Sequence, residues 1–539
     1  MAESGRPRAA ARTPGGVGRS RGMAAGFWAP AAAGALGAGV AIAASEFGAG
    51  LVPGAPSLVT SIGSLVISLQ PPGAKELMVN LFGTNDKVAL NVLVLVVALV
   101  VAAIAGILAA RRRWLGVTIF VAFGVLAAAA GLRDPLAAPA LAVANAVVAV
   151  VAGVAALLGL LGLAAATGAR GASDDPVAAF PSPEWTRRRF LIASAGTLGG
   201  VIVVGGAGRT LIDAHHADEI VSSSKIPAAF LPVPPPAADQ ALAIPGLTPI
   251  VIPNDDFYKI DTTLLVPRVD PATWKLDVTG MITNPLTFTY DELLAMPLYE
   301  QYVTIACVSN RVGDHLVGNA LWTGVRLKDV LESAGVQPGA TQIVGRSVDG
   351  FTVGFPTSWA MAPEREPMIA VGMNRQPLPA NHGFPARLIV PGLYGYVSAT
   401  KWLAEIQLTT REAVDGYWVP LGWAKDGPIL TQSRIDVPTD GASVPSGVVN
   451  IAGVAWAPDR GITRVEVRVD NGPWQAARIS RLISSATWVQ WTLPWTTTPG
   501  AHNLEVRATD GTGDVQTDQV SDPAPDGARG HHRILVMVA

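Results

Sequence analysis

Tyr302-Val303-Thr304-Ile305-Ala306-Cys307-Val308-Ser309-Asn310-Arg311 begins as a strand and ends as a loop. Its first half is aromatic and β-branched, the pattern of a short buried strand. Its second half is polar. Cys307 is the only cysteine among 539 residues and sits where the strand opens into the loop. That position suits a thiol acting on something bound in a cleft. A lone cysteine is more often an inert core residue, so a functional reading has to draw on the rest of the chain.

A chain of 539 residues has room for about three domains. The net charge is -2, so nothing suggests a nucleic-acid partner. Hydrophobic residues make up 50% and the mean hydropathy is +0.37, too apolar for a wholly soluble protein. The excess lies within residues 1–210. A single cysteine excludes intrachain disulfides, zinc–thiolate clusters, cysteine-ligated iron–sulfur clusters and a CxxCH haem site. No GxSxG, HExxH or P-loop motif supports a hydrolase or an NTPase.

Five apolar stretches, near 23–44, 88–110, 114–132, 136–165 and 190–207, reach or approach the roughly 20 residues needed to span a bilayer. Their Ala, Gly, Val and Leu content suits close helix packing through small residues. The fourth is long enough to tilt or project. The stretch 51–70 is apolar but broken by Pro53, Pro56 and Gly63, and reads as an interfacial or loop segment. Arg6, Arg8, Arg12, Arg19 and Arg21 precede the first span. Arg111, Arg112 and Arg113 lie between the second and third, and Arg187, Arg188 and Arg189 precede the fifth. The other loops carry only Lys75, Lys87 and Arg133. With basic loops inside, the N-terminus is cytoplasmic and residues 210–539 lie outside. Thr186-Arg187-Arg188-Arg189-Phe190-Leu191 resembles a twin-arginine export signal, and no cleavage site follows it, so a retained anchor is expected. No histidine precedes His215, so the spans cannot ligate a b-type haem. Intramembrane charges are scarce, which favours anchoring or docking over transport.

Residues 211–253 read as a linker. Pro227, Pro232, Pro234, Pro235, Pro236, Pro245 and Pro253 make it a semi-extended spacer that lifts the soluble part off the membrane. From Asn254 the texture is mixed α/β. Trp274-Lys275-Leu276-Asp277-Val278-Thr279 alternates as a strand. Thr289 caps a short helix, and another over 327–332 ends at Gly335. Four motifs stand in order: Asn254-Asp255-Asp256-Phe257-Tyr258; Cys307-x-x-Asn310-Arg311; Trp322-x-Gly324-Val325-x-Leu327-x-Asp329-Val330-Leu331; and His382-Gly383-Phe384-Pro385-Ala386-Arg387-Leu388-Ile389-Val390-Pro391-Gly392, followed by Lys401-Trp402-Leu403. Together they resemble the sulfite oxidase family of molybdopterin oxidoreductases, over roughly 250–410 and on toward the C-terminus.

That resemblance implies a Mo-molybdopterin cofactor, with Cys307 ligating the molybdenum beside the dithiolene of one molybdopterin and terminal oxo groups. A soft metal centre of this kind prefers an anionic thiolate. The cofactor ends in a phosphate, which calls for Arg, Lys and backbone donors. Arg387 and Lys401 match the family's pterin- and phosphate-binding positions, and Ser398, Ala399 and Thr400 match the loop that wraps the phosphate, one residue longer here. His382 matches a pterin contact and Ser347 another. Asn254, Phe257 and Tyr258 match the N-terminal edge of the site, Phe257 and Tyr258 through the backbone. On the substrate side the resemblance places Arg311, Phe351 and Lys259.

The departures concern the substrate. Sulfite oxidases carry two consecutive arginines after the asparagine, and the second is Val312 here. Their active-site tyrosine corresponds to Phe351 and an early arginine to Lys259. Arginine forks suit oxyanions far better than Lys or Val, so sulfite is an unfavourable substrate. A relative that removes oxygen from oxidised methionine is the nearer analogy. Its haem membrane partner has no counterpart in these spans.

From about residue 426 the chain becomes all-β. Val465, Val467 and Val469 alternate with charged residues, Asp470-Asn471-Gly472 signals a hairpin, and 532–538 closes as a strand. This reads as an immunoglobulin-like sandwich. It resembles the dimerisation domain of sulfite oxidases, so it pairs two copies or caps the catalytic domain of a monomer. The expected architecture is a transmembrane helical bundle (1–210), the linker (211–253), an α+β molybdopterin domain (254–425) and the sandwich (426–539). The expected activity is two-electron oxygen-atom-transfer-type redox chemistry on a small or sulfoxide-like molecule, with electrons exchanged through an external carrier. The competing reading is a cofactor-free cell-surface docking protein, with an unremarkable Cys307 and no basic residues converging near it.

Overall fold

The computed structural model describes residues 19–71, 86–168, 183–214 and 224–539 except 363, with isolated positions between 72 and 85. The expectations on Arg6, Arg8, Arg12 and Lys75, and on the side chains of Arg19, Arg21 and Arg187, fall outside the described residues. Two compact units divide the chain near His215.

The first unit is helical: α1 (Arg19–Leu51), α2 (Leu58–Ser68), α3 (Asp86–Arg111), α4 (Arg113–Gly131), α5 (Pro139–Gly168) and α6 (Pro183–Ala214). Five segments, Phe27–Leu51, Lys87–Arg111, Arg113–Gly131, Pro139–Ala165 and Arg188–Ile212, are long and apolar enough to cross a membrane. The stretch 51–70, expected as an interfacial or loop segment, contains the 11-residue helix α2, too short to span a bilayer. Small residues set the packing, as expected. A Cβ on Gly34 would lie 1.9 Å from Ala102 O, and one on Gly106 would lie 2.1 Å from Pro30 O, so α1 and α3 meet backbone to backbone. Several polar groups inside the bundle bond one another. Asn145 Nδ2 donates to Ser45 O, Ser45 Oγ and Pro56 O at 3.2, 3.1 and 2.9 Å, and Ser57 donates to Glu46.

The second unit begins with two sheets. Its elements are β1 (Lys275–Gly280), β2 (Leu286–Thr289), α7 (Tyr290–Ala295), β3 (Tyr299–Ala306), β4 (Val317–Arg326), α8 (Leu327–Ala334), β5 (Gln342–Ser347), β6 (Thr352–Pro356), α9 (Thr357–Met361), β7 (Met368–Met373), β8 (Gln376–Pro377), β9 (Arg387–Ile389), α10 (Gly395–Ser398) and β10 (Leu403–Thr409). One sheet runs β3-β4-β7-β8 with β9 on β7; the other runs β2-β1-β10-β5-β6. β3 is central to the site. It pairs antiparallel with β4 from Tyr299↔Gly324 to Ala306↔Val317, which delivers Cys307 at its open end. Thr289 and Glu292 form the reciprocal cap of α7, and α8 ends at Gly335 with φ +69, as the sequence signalled. Trp322 and Phe355 are among the large side chains sealed in the core between the sheets.

The C-terminal strands are β11 (Gln432–Val437), β12 (Ser443–Val444), β13 (Val448–Trp456), β14 (Ile462–Val469), β15 (Gln475–Ala476), β16 (Arg478–Ile479), β17 (Val489–Thr496), β18 (Gly500–Asp510) and β19 (His532–Val538). They form two sheets, β11-β13-β17-β16 and β12-β19-β18-β14-β15, over a core that includes Val465, Val467, Trp491 and Val506. After β14 the chain turns with Asp470 at φ +52 and Asn471 at φ +60, the geometry a two-residue hairpin turn requires.

The Pro-rich segment departs from expectation. Residues 224–253 run extended along the soluble unit rather than free of it. Phe230 N donates to Leu298 O at 2.8 Å, Ile252 N to Asn319 O at 2.9 Å, and Ile250 O accepts from both Asn319 Nδ2 and Trp488 Nε1. Proline removes donors but leaves its carbonyls and its neighbours' N–H groups, and here these pair with the folded body. The sandwich shares that contact, with Trp488 N bonded to Thr304 Oγ1 at 2.9 Å.

Candidate active site

Cys307 is a buried free thiol one residue beyond β3. The loop that follows closes on itself. Cys307 N donates to Leu316 O at 2.9 Å, Asn310 N to Cys307 O at 3.1 Å, and Leu316 N to Asn310 Oδ1 at 2.7 Å. Asn310 therefore ties the two ends of the loop together, which accounts for its fixed spacing from the cysteine.

The thiol faces a cleft of about 910 Å³, its open mouth included, lined also by Phe257, Tyr258, Ser347, Phe351, His382, Arg387, Ala399 and Lys401. Arg387, on β9, is 5% exposed. It donates Nη1 to His382 O at 2.9 Å and its Cζ lies 5.0 Å from the Trp322 ring centre. Its Nε is buried with no partner among the described residues. Burial pulls its pKa down to about 10. His382 is held down to about 3, first by burial and then by Arg387, so it is neutral at ordinary pH. Its Nε2 lies 2.9 Å from Asn254 O, a carbonyl that only accepts, so the proton sits on Nε2. Gly383 takes φ +113, and a Cβ there would lie 2.9 Å from Lys401 Cα, so this glycine lets the histidine turn close onto the lysine. Lys401 Nζ pairs with Asp261 at 2.8 Å and donates to Asn381 O at 3.0 Å.

Phe257 stacks on Tyr258 at 5.2 Å and meets His382 edge-on at 5.7 Å. The Tyr258 hydroxyl is held well above its usual range, chiefly by burial and then by Cys307. Asn254 stands behind His382 and accepts from Asn374 Nδ2 at 2.8 Å. Ser347 is buried, bonded through N to Phe351 O at 2.9 Å. Of the phosphate-loop residues, Ala399 lines the cleft. Ser398 turns inward to bond Tyr394 O at 3.0 Å, and Thr400 Oγ1 is buried beside Gly345. Phe351 is in the wall, against Tyr417 at 5.5 Å. Arg311 and Lys259 are exposed and do not line the cleft.

Sequence reasoning missed an aromatic wall. Tyr396, Trp402, Trp418 and Trp423 line the cleft, with Tyr396–Trp423 at 5.9 Å and Tyr417–Trp418 at 5.0 Å. The density of aromatics over 417–423 was the available signal. Asp261 and Asp349, the carboxylates in the lining, were also missed.

Among the described residues no group of three or more His, Cys, Asp or Glu side chains could hold a metal ion. A metal held at Cys307 would take its other ligands from solvent or an organic group. The surroundings suit one that ends in an anion. Buried Arg387 keeps an Nε donor without a partner among the described residues, and Lys401 lines the same cleft.

Comparison with known proteins agrees. Residues 263–418 match the oxidoreductase molybdopterin binding domain, and 432–506 match a bacterial Ig domain. Human mitochondrial sulfite oxidase is 32% identical over 318 residues, 50% of this chain and 58% of the human protein. Sulfite oxidase of Arabidopsis thaliana is 30% identical over 329 residues, 50% of this chain and 83% of the plant protein. The chain belongs to the sulfite oxidase family. The domain matched over 263–418 is one that binds molybdopterin in oxidoreductases. The alignment spans little more than half the length of the human member of the sulfite oxidase family. Among solved structures, the sulfane dehydrogenase SoxCD from Paracoccus pantotrophus aligns with a TM-score of 0.47 and 22% identity, covering 58% of this chain and 88% of that one.

Proposed function

We propose that this chain is a membrane-anchored enzyme with its catalytic unit outside the cytoplasm, removing oxygen from a neutral, sulfoxide-like organic substrate. The observation that carries the substrate class is the composition of the cleft wall. The cations that line it, Arg387 and Lys401, would with His382 meet the pterin and its phosphate, and Phe351, Tyr396, Trp418 and Trp423 give the wall an aromatic face. A small dianion there would lose its hydration without gaining fixed cations. Arg311 and Lys259, expected on the substrate side, are exposed and are not among the residues that line the cleft.

Cys307, Arg387, Lys401, His382 and Ser347 would hold the cofactor, with Asn254, Phe257 and Ala399 shaping its edges. When bound, the group supplies two-electron oxygen-transfer chemistry. The balanced reaction is sulfoxide plus two electrons and two protons giving thioether and water, with the electrons delivered by an external carrier. The aromatic wall orients the substrate and excludes water. Tyr258, lining the cleft and kept protonated by burial, would donate a hydrogen bond toward the departing oxygen. Convergence of Arg387, Lys401 and His382 beside the thiol argues against a cofactor-free docking protein.

Anchoring is supported by the five long apolar helices, and the outward placement by Arg111, Arg112, Arg113, Arg188 and Arg189 flanking them. Pairing of two copies through the β-sandwich is part of the same reading, tested by the mass of the detergent-solubilised protein.

The test is metal analysis of the purified protein, followed by steady-state kinetics on sulfite, sulfoxides and N-oxides with an artificial electron carrier. Molybdenum near one atom per chain and a preference for sulfoxide are expected. Sulfite oxidation close to the diffusional ceiling of about 10⁸ M⁻¹s⁻¹ would overturn the substrate assignment. Absence of molybdenum would overturn the cofactor site.

A further inference from the structure

The loop that carries Cys307 is gripped from the C-terminal sandwich. Arg434, on β11, is 2% exposed, and its guanidinium is divided among three segments. Nε meets Asp436 Oδ1 at 2.6 Å, Nη1 donates to Asp314 O at 2.8 Å, and Nη2 donates to Thr248 Oγ1 at 2.9 Å. Asp436 Oδ2 accepts from Thr248 N at 3.2 Å, so the carboxylate is held from both sides. Asp314 lies at the tip of the loop that runs from Cys307 to Leu316, and its N donates to Arg311 O at 3.0 Å.

A second grip adjoins the first. Gly313 packs under His532 of β19 so closely that a Cβ would lie 2.3 Å from its Cδ2 and 2.4 Å from its Nε2. The imidazole is itself fixed, because its Nδ1 accepts from Ile435 N at 3.0 Å. Two neighbouring strands of the sandwich thus hold two consecutive residues of the catalytic loop.

We propose that Arg434 is a positioning residue: it fixes the loop from Cys307 to Leu316, and so the direction of the thiol, without touching anything in the cleft. A buried ion pair is rarely more stabilising than an apolar pair of the same size. What Arg434 supplies that an apolar side chain cannot is a directed bond to one loop carbonyl. The sandwich then has a role inside each chain that is independent of any pairing between chains.

The test uses the full chain. Arg434→Met combined with Asp436→Leu removes the grip without stranding a buried charge. Arg434→Lys keeps the charge beside Asp436 and serves if the double variant does not fold. Hydrogen exchange of the amides of residues 308–316 is the first readout and needs no cofactor. Loss of one charge-assisted bond corresponds to about tenfold faster exchange there, with β3 and β4 unchanged. The second readout, on molybdenum-loaded protein, is kcat, which falls about tenfold while KM stays within about twofold, with an altered electron paramagnetic resonance spectrum of the half-reduced metal. Arg434→Lys should fall between the wild type and the double variant in both. Unchanged exchange in 308–316, or a rise spread evenly over both domains, would overturn the proposal. The kinetic arm rests on Cys307 ligating the metal as read above. The exchange arm does not, so a failure of that assignment would appear as missing molybdenum with the exchange result intact.

Discussion

Replacing Arg387 by methionine separates binding from stability. The guanidinium is buried, bonded to His382 O, and keeps Nε without a partner among the described residues. Burial lowers its pKa from the ordinary guanidinium value to about 10. At 1.36 kcal/mol per unit, the folded protein bears a penalty of roughly 3 kcal/mol for keeping this charge without its ligand. The sign follows from a base with a depressed folded pKa: the penalty is constant below about pH 10 and is relieved as pH rises from there toward the unfolded value. Methionine removes the charge at similar volume and forfeits one hydrogen bond, roughly 1 kcal/mol. The cofactor-free variant should therefore be more stable at pH 7 by about 2 kcal/mol, a rise in Tm of roughly 4 °C. The same variant should lose molybdenum and pterin on purification, because the anionic end of the cofactor is the partner Arg387 lacks. Melting of protein made without molybdenum, with metal and pterin content of protein made with it, measures both. A lower Tm with full metal content would refute the reasoning, since it would make Arg387 a structural cation.

Three further outcomes follow. Cys307→Ser should fold and be exported but turn over no substrate, since a hydroxyl is a poor ligand for a soft metal; full activity would remove Cys307 from the site. His382 is held down to about 3, so the unfolded chain takes up a proton near pH 6.5 that the folded chain refuses. Stability of the cofactor-free protein should fall as pH drops from about 6.5 toward 4, and His382→Gln should flatten that slope. His532, held down to about 4, adds to the slope in the wild type and leaves a residual in the variant. Reporter fusions at the C-terminus should be active outside the cytoplasm, and activity confined to the cytoplasm would reverse the proposed topology.

Legibility followed contiguity. Cys307, Asn310, His382, Arg387 and Lys401 stand in short runs whose spacing is imposed by local geometry: a closed loop after β3, and a histidine turn folded onto a lysine through Gly383. Such runs keep their spacing and can be read. Trp418 and Trp423 reach the cleft only because the chain after β10 folds back over it; the aromatic density over 417–423 is a local signal of burial but not of where the chain returns. Arg311 and Lys259 illustrate the converse. Lys259 is adjacent in sequence to the cleft residue Tyr258 and Arg311 follows the turn after Cys307, yet neither is among the residues that line the wall. Adjacency fixes where a backbone goes. In extended or looped segments it does not fix the side to which the next side chain turns.

The Pro-rich segment shows the same limit. Its composition predicted an extended spacer, and extended it is, but composition carries no information on what its carbonyls meet. Asn319 Nδ2 and Trp488 Nε1, from the catalytic domain and the sandwich respectively, both bind Ile250 O. A single carbonyl of the segment thereby fastens two domains. Cutting the chain at the apparent boundary before Asn254 would expose those two buried donors as well as Arg434 Nη2, which depends on Thr248. Each stranded donor costs about 1–3 kcal/mol. A soluble fragment meant to retain the grip on the Cys307 loop therefore has to begin upstream of Thr248.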